Sequence, residues 1–420
     1  MIPNLNALDK VSTQWLYLNV LNTISLSFYL YKDYPLKDIL KNRATILFFC
    51  FFLWSLVSLF FAINRIESLV VLSQILAIVI AFFVLIICIR DINRPFIFIS
   101  NVISIFLLIE IAYILSPFLT LDDAQSFIFK RSSLFQGFGA NVNITAFSVI
   151  YKVPFFIFSI LQFKKLKLVW CLLSFLVFTS IIFISGTLNS TRGAILTYSS
   201  LAPILIIIAV IVFIKSKNYK FLIFSSIYCL SVLLSFPLNV RLATTFKVTQ
   251  SSITNRISSL NALVDNEVKL DESLTQRKDF YKQALNTIKN NPIFGVGIGN
   301  WKIKSIDTNK EKIRGYVVPY HAHNDYLEIG AEIGLVGLGI YLSILFLSFK
   351  ETVINFIKSI FTSSALKQNY LEVILISVFL FIWILDSNFN FPFHRPIELI
   401  NLIVLLAYLN SKSEINLYEK

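Results

Sequence analysis

Residues 68–89 read SLVVLSQILAIVIAFFVLIICI, 22 residues without a single charge. Wound as a helix rising about 1.5 Å per residue, this stretch reaches about 33 Å, enough to cross the roughly 30 Å hydrocarbon core of a bilayer. Similar apolar runs lie near residues 14–31, 45–63, 96–117, 143–163, 166–186, 193–214, 220–238, 326–349, 370–386 and 396–411. An all-α polytopic membrane protein with about 11–12 transmembrane helices is therefore expected. Composition agrees: 56% of the 420 residues are hydrophobic, 41 are Phe, and mean hydropathy is +0.73, more apolar surface than a soluble core hides. The N-terminus lacks the basic head and small-residue cleavage site of a removable signal peptide, so the first run is expected to remain. Cys50, Cys88, Cys171 and Cys229 all lie inside apolar runs and far apart. They imply buried thiols, with no disulfide framework or zinc site.

The net charge of +13 could suggest nucleic acid, but its placement speaks for a membrane. One alternate set of short loops carries fifteen Lys and Arg, among them Lys32, Arg43, Arg90, Lys164, Lys215 and Lys350; the intervening short loops carry five, Arg65, Lys130, Arg131, Arg192 and Arg395. The richer set is expected to face the cytoplasm. Asn141, Arg192, the long segment 239–325 and His394-Arg395 then all fall on the opposite face. Three parts follow: an N-terminal transmembrane bundle over 1–238, an extracytoplasmic loop domain over 239–325, and C-terminal transmembrane helices over 326–420. The loop has helical periodicity of its own. Phe280, Ala284, Leu285 and Ile288 share a face of a helix that should stop before Pro292. From Arg241 to Asp325 it carries thirteen basic against eight acidic residues, a balance that suits an anionic lipid-linked ligand and equally a merely solvated loop.

Chemistry concentrates where this loop meets the next apolar run. His321 and His323 are two of only three histidines, and Asp325 with Glu328 three residues on reads as a capping pair. A ring just before a helix start is disfavoured as imidazolium and favoured as a neutral proton acceptor. Three other readings stay open: a polar loop histidine, a metal site at His321-x-His323-x-Asp325, and tight turns rather than a nucleotide fingerprint at Gly295-x-Gly297-x-Gly299. Metal is disfavoured because His394 is far away in sequence and no Cys accompanies the set. Gly330 and Gly334 read as close helix packing.

His323-Asn324-x-Tyr326-Leu327, followed by Ala331-Glu332-x-Gly334-Leu335-x-Gly337, resembles the signature of the O-antigen ligase and polymerase family of bacterial membrane glycosyltransferases. Asn291–Trp301 (NPIFGVGIGNW), Phe391–Pro396 (FPFHRP), Gly137–Asn143 (GFGANVN) and Ser190–Gly193 (STRG) extend the resemblance over most of the chain. It implies a metal-independent, cofactor-free, inverting C-type glycosyltransferase in the bacterial inner membrane, with its active site on the periplasmic side. The donor would be a glycan on undecaprenyl diphosphate and the acceptor a lipid A-core sugar. A polymerase adding the same donor to a lipid-linked repeat unit is the alternative, followed by a protein O-oligosaccharyltransferase. A transporter would show repeated halves, and none is visible.

The resemblance assigns His323 as general base and places Arg192, Arg277, Arg314, Asn143, Asn324 and Arg395 at the substrate. Arginine suits a diphosphate through its permanent charge and bidentate fork. Arg192 equally reads as a snorkelling interfacial residue, Arg277 and Arg314 as solvated loop cations. Glu110 and Lys152 belong to no motif. Each lies well inside an apolar run, at matching distances from the loop 118–142. They are expected to pair or to line a polar cavity, because a lone charge there costs at least about 2.5–3.5 kcal/mol.

Overall fold

The computed structural model describes residues 9–32, 42–117, 135–139, 141–188, 191–245, 272–309, 320–361 and 370–418. Among them there is no strand, and the chain is an all-α polytopic membrane protein. In chain order the helices are α1 (Lys10–Tyr31), α2 (Arg43–Ser58), α3 (Arg65–Arg90), α4 (Pro95–Leu115), α5 (Val142–Tyr151), α6 (Val153–Leu161) and α7 (Leu168–Phe183). They continue with α8 (Arg192–Ser216), α9 (Tyr219–Thr245), α10 (Glu272–Asn290), α11 (Trp301–Asn309), α12 (Asp325–Phe361), α13 (Tyr370–Phe389) and α14 (Pro396–Tyr418).

Eight helices among the described residues are long and apolar enough to cross a membrane, the α5–α6 pair counting as one. The other three expected runs are helical too. Tyr219–Ser235 and Pro396–Ser411 are shorter apolar stretches. α1 carries Gln14, Asn19 and Asn22, and Asn22 is buried, its amide donating to the Ala77 carbonyl of α3 at 2.8 Å. Polar residues on that helix thus serve packing, which lowers its apolarity. All four cysteines are free.

The helices group into two compact units. The first takes its described parts from residues 1–95, 271–351 and 387–420, the second from 96–270 and 352–386. In the first, α3 packs against α1, α2 and α14. Its defining irregularity is a break in α12, where Ile333 and Gly334 (φ 71°) leave the helical region. A break inside an apolar span must have its freed backbone groups satisfied by protein. The segment 292–297 does this. Leu335 N–H donates to the Pro292 carbonyl at 2.7 Å, Val296 N–H to Ala331 at 3.1 Å and Gly297 N–H to Glu332 at 2.9 Å. Trp54 Nε1 donates to the Ile333 carbonyl at 2.9 Å. A Cβ on Gly334 would stand 2.0 Å from the Ile293 carbonyl oxygen, and one on Gly295 2.2 Å from that of Glu332. Gly334 is therefore a helix break as well as a close packing contact, made with the 292–297 segment. Gly330 also packs closely, a Cβ there meeting Ile288 Cδ1 of α10 at 3.0 Å.

In the second unit α8 and α9 pack together and α9 against α7, bound by the Tyr198 hydroxyl donating to Phe178 O and Tyr228 to Tyr198 O. Glu110 of α4 and Lys152, the residue joining α5 to α6, meet as the sequence led us to expect. Lys152 Nζ lies 2.8 Å from Glu110 Oε2 and also donates to the Ser148 carbonyl at 2.8 Å and to its hydroxyl at 2.7 Å. Ser148 Oγ donates to the other Glu110 oxygen at 2.9 Å.

Candidate active site

The site grows from the start of α12. Asn324 is its cap, Oδ1 accepting the Leu327 N–H at 3.0 Å, which satisfies one of the donors a helix start leaves over. Asp325, expected to cap, is instead the first helical residue. Its Oδ2 accepts the Phe393 N–H at 3.1 Å, fastening the 391–395 segment to the helix start. Asn324 thus has a structural duty whatever it does for a substrate.

Glu328, one turn further, is buried and uses both oxygens. Oε2 accepts the Ala322 N–H at 2.7 Å, Oε1 lies 2.8 Å from His321 Nδ1, and His394 Nε2 stands 3.2 Å from the same Oε1. The last contact is an ion pair without good hydrogen-bond alignment. Phe391 gathers the basic groups. The His321 ring stacks on it at 4.0 Å, the His323 ring meets it edge-on at 5.2 Å, and the Arg395 guanidinium lies 4.6 Å from its centroid.

His323 sits at φ 56°, a left-handed conformation uncommon outside glycine. Its carbonyl is held from α10, where the Tyr281 hydroxyl lies 3.1 Å from it and 2.9 Å from the Asn388 carbonyl. Arg277 is one turn before Tyr281 on the same face of α10. Burial first, then the Arg277 charge, pushes the His323 ring down to about 4, so it is neutral at neutral pH. Burial also lowers His321, outweighing its carboxylate partner. His394 behaves oppositely. Burial works against its charge, but Glu328, aided by Glu332 and Asp325, raises it to about 9. The cluster at neutral pH therefore holds one cationic histidine against Glu328 and two neutral rings.

Of the residues assigned from the sequence, the first unit brings together His323, Asn324, Arg277 and Arg395. Asn143 and Arg192 belong to the second. There Thr191, directly before Arg192 at the start of α8, donates its hydroxyl to Asn143 Oδ1 at 3.0 Å, and Asn141 caps α5 by accepting the Asn143 N–H at 2.8 Å. Arg314 lies outside the described residues.

Sequence reading did not foresee Glu328 as a hub, Tyr281, Phe391, or Glu332, whose Oε1 accepts the Trp301 N–H at 3.0 Å. A signal existed for the acids. Asp325, Glu328 and Glu332 are spaced for one face of a helix, and three carboxylates on an apolar span require partners. The partnership of His394 with His321 had no such signal. His321, Glu328 and His394 are a donor set suited to a divalent ion, with ligand atoms spread over up to 4.8 Å. Glu328 already accepts the Ala322 N–H and stands within reach of both rings, His321 at 2.8 Å and His394 at 3.2 Å.

Residues 177–342 match the model of a family described as O-antigen ligase. The matched segment includes Arg192, Arg277 and His323. No curated protein matches the chain.

Proposed function

We propose that this chain, whose residues 177–342 match the model of a family described as O-antigen ligase, transfers a glycan from undecaprenyl diphosphate to a lipid A-core sugar at the periplasmic face of the inner membrane. The observation that carries this reading is His323, a neutral ring on a left-handed backbone within the field of Arg277. In the proposed step His323 takes the proton of the acceptor hydroxyl, whose oxygen attacks the anomeric carbon from the side opposite the diphosphate. The glycosidic C–O bond to the diphosphate breaks, the leaving group keeps the electron pair, and the anomeric configuration inverts. No metal or cofactor takes part in this scheme.

Arg277 serves the leaving group. A guanidinium grips phosphate oxygens bidentately and stays charged. Charge also couples the two tasks. In the free protein Arg277 disfavours imidazolium at His323; a bound diphosphate would offset that charge, making the ring more basic when the proton must be taken.

Glycan analysis of a strain lacking this protein tests the reading. The expected result is lipid A-core without polymer, while polymer accumulates on undecaprenyl diphosphate. Accumulation of single lipid-linked repeat units would assign the chain as a polymerase instead, and unchanged glycans would overturn both.

A further inference from the structure

We propose that Glu328 and His394 form a positioning device that holds the His323 loop in its strained, working conformation. The proposal rests on the reading of His323 as general base. A non-glycine residue in the left-handed region costs on the order of 1–3 kcal/mol and persists only where its surroundings impose it. At His323 the imposing contacts are few and identifiable. Asn324 caps α12 on the C-terminal side and Tyr281 holds the His323 carbonyl. Among the described residues, the hydrogen bonds on the N-terminal side go to Glu328, which takes the Ala322 N–H on one oxygen and His321 on the other, while Ala322 packs with Ala284, Trp301 and Ala331 and His321 stacks on Phe391.

Accepting the Ala322 N–H on one oxygen and a His321 Nδ1–H on the other takes the ionised carboxylate, and Glu328 is 1% exposed. A buried anion needs a cation. His394 supplies it at 3.2 Å, and its segment is fixed to the same helix start by the Phe393 N–H on Asp325. The groups facing His394 are Glu328, Glu332, Asp325 and His321, three acids against one neutral ring, so its proton is well held. The segment 391–395 thus acts on the chemistry through the loop 321–323. This gives the Phe391–Pro396 motif a role distinct from touching substrate.

The test compares purified full-length Glu328→Gln and His394→Gln with wild type, using an undecaprenyl-diphosphate glycan donor and lipid A-core acceptor. Glu328→Gln keeps size and an acceptor but loses the charge. Since a displacement of about 1 Å can cost 10²-fold, kcat is expected to fall about 10- to 100-fold, with donor KM changed less than about threefold. His394→Gln should act in the same direction. The double variant should lose less than the product of the two, since the pair is one device. Should Glu328→Gln fail to fold, His394→Gln decides. Lowered thermal stability with wild-type kcat in the folded fraction would overturn the proposal, as would independent, multiplicative effects. Loss of wild-type activity on chelation, restored by zinc, would replace it with a metal site. His323→Ala run alongside separates the two levels: if it retains activity the base assignment falls, whereas if it is inactive while both Gln variants keep wild-type kcat, positioning alone falls.

Discussion

Each unit of this protein buries a charged cluster, and the two clusters are satisfied in different ways. In the second unit Glu110, Lys152 and Ser148 form a closed set: both carboxylate oxygens and the ammonium are engaged at 2.7–2.9 Å. In the first unit His321 and His394 crowd the one carboxylate of Glu328, and His323 stands on strained backbone. Among the described residues, the buried Nδ1 of His323 has no hydrogen-bond partner. Closed networks rigidify a core. Strain and unsatisfied groups that persist in a native structure ask for another explanation, and function is the usual one. Both clusters hold a buried carboxylate beside a basic group, so burial of charge alone would not have told them apart.

The comparison can be broken most forcefully at the closed cluster. Glu110→Ala leaves Lys152 buried inside a span without its counter-ion, at a cost of at least about 2.5–3.5 kcal/mol, read as a lowered thermal midpoint of the detergent-solubilised protein. Replacing the pair with Gln at 110 and Met at 152 should recover most of that loss, and transfer per folded molecule should match wild type. Impaired turnover in the well-folded double variant would move this cluster from structure to function.

Arg277 comes next. Losing a hydrogen bond to a charged group costs about 1.5–3 kcal/mol, so Arg277→Ala should weaken donor turnover by about 10- to 100-fold. Lys should restore little, keeping charge without the fork. Full activity of Arg277→Lys would reduce its role to that of a field charge.

A smaller effect lies in pH dependence. With His323 at about 4 in the free protein, kcat/KM should stay level from neutral pH down to about 5 and fall as protonation removes the base. Bound diphosphate raises the ring's pKa, so the acid limb of kcat should lie at higher pH than that of kcat/KM. Coincident limbs would sever the coupling between Arg277 and His323. For His394 the sign is reversed. Its pKa rises on folding from 6.5 to about 9, so its contribution to stability is complete below pH 6.5 and is lost as pH climbs through 9. His394→Gln should flatten that alkaline decline in thermal midpoint.

What could be read from the sequence follows the range of the physics involved. The apolar runs and the Glu110–Lys152 pair were legible because bilayer thickness and the cost of a lone intramembrane charge act on each residue by itself. The cap of α12 was legible only approximately. Asn324 and Asp325 are both good caps, and the choice between them is made by the Phe393 N–H, which claims Asp325 from far along the chain. For the same reason the sequence showed Gly334 as a site of close packing but not as a break. Its role as a break depends on the 292–297 segment returning to meet it. His323 was marked as suitable by its place before a helix and selected by the family resemblance, whereas the ion pair of His394 with Glu328 joins two elements that nothing in their local sequence connects.

The most direct test is single-turnover transfer by the purified protein reconstituted in lipid, with saturating undecaprenyl-diphosphate glycan, comparing wild type with His323→Ala. Loss of a general base is worth about 10² to 10⁴ in rate. A fall of that size with donor affinity unchanged is the result expected here. Transfer by His323→Ala at the wild-type rate would contradict the assignment of this site.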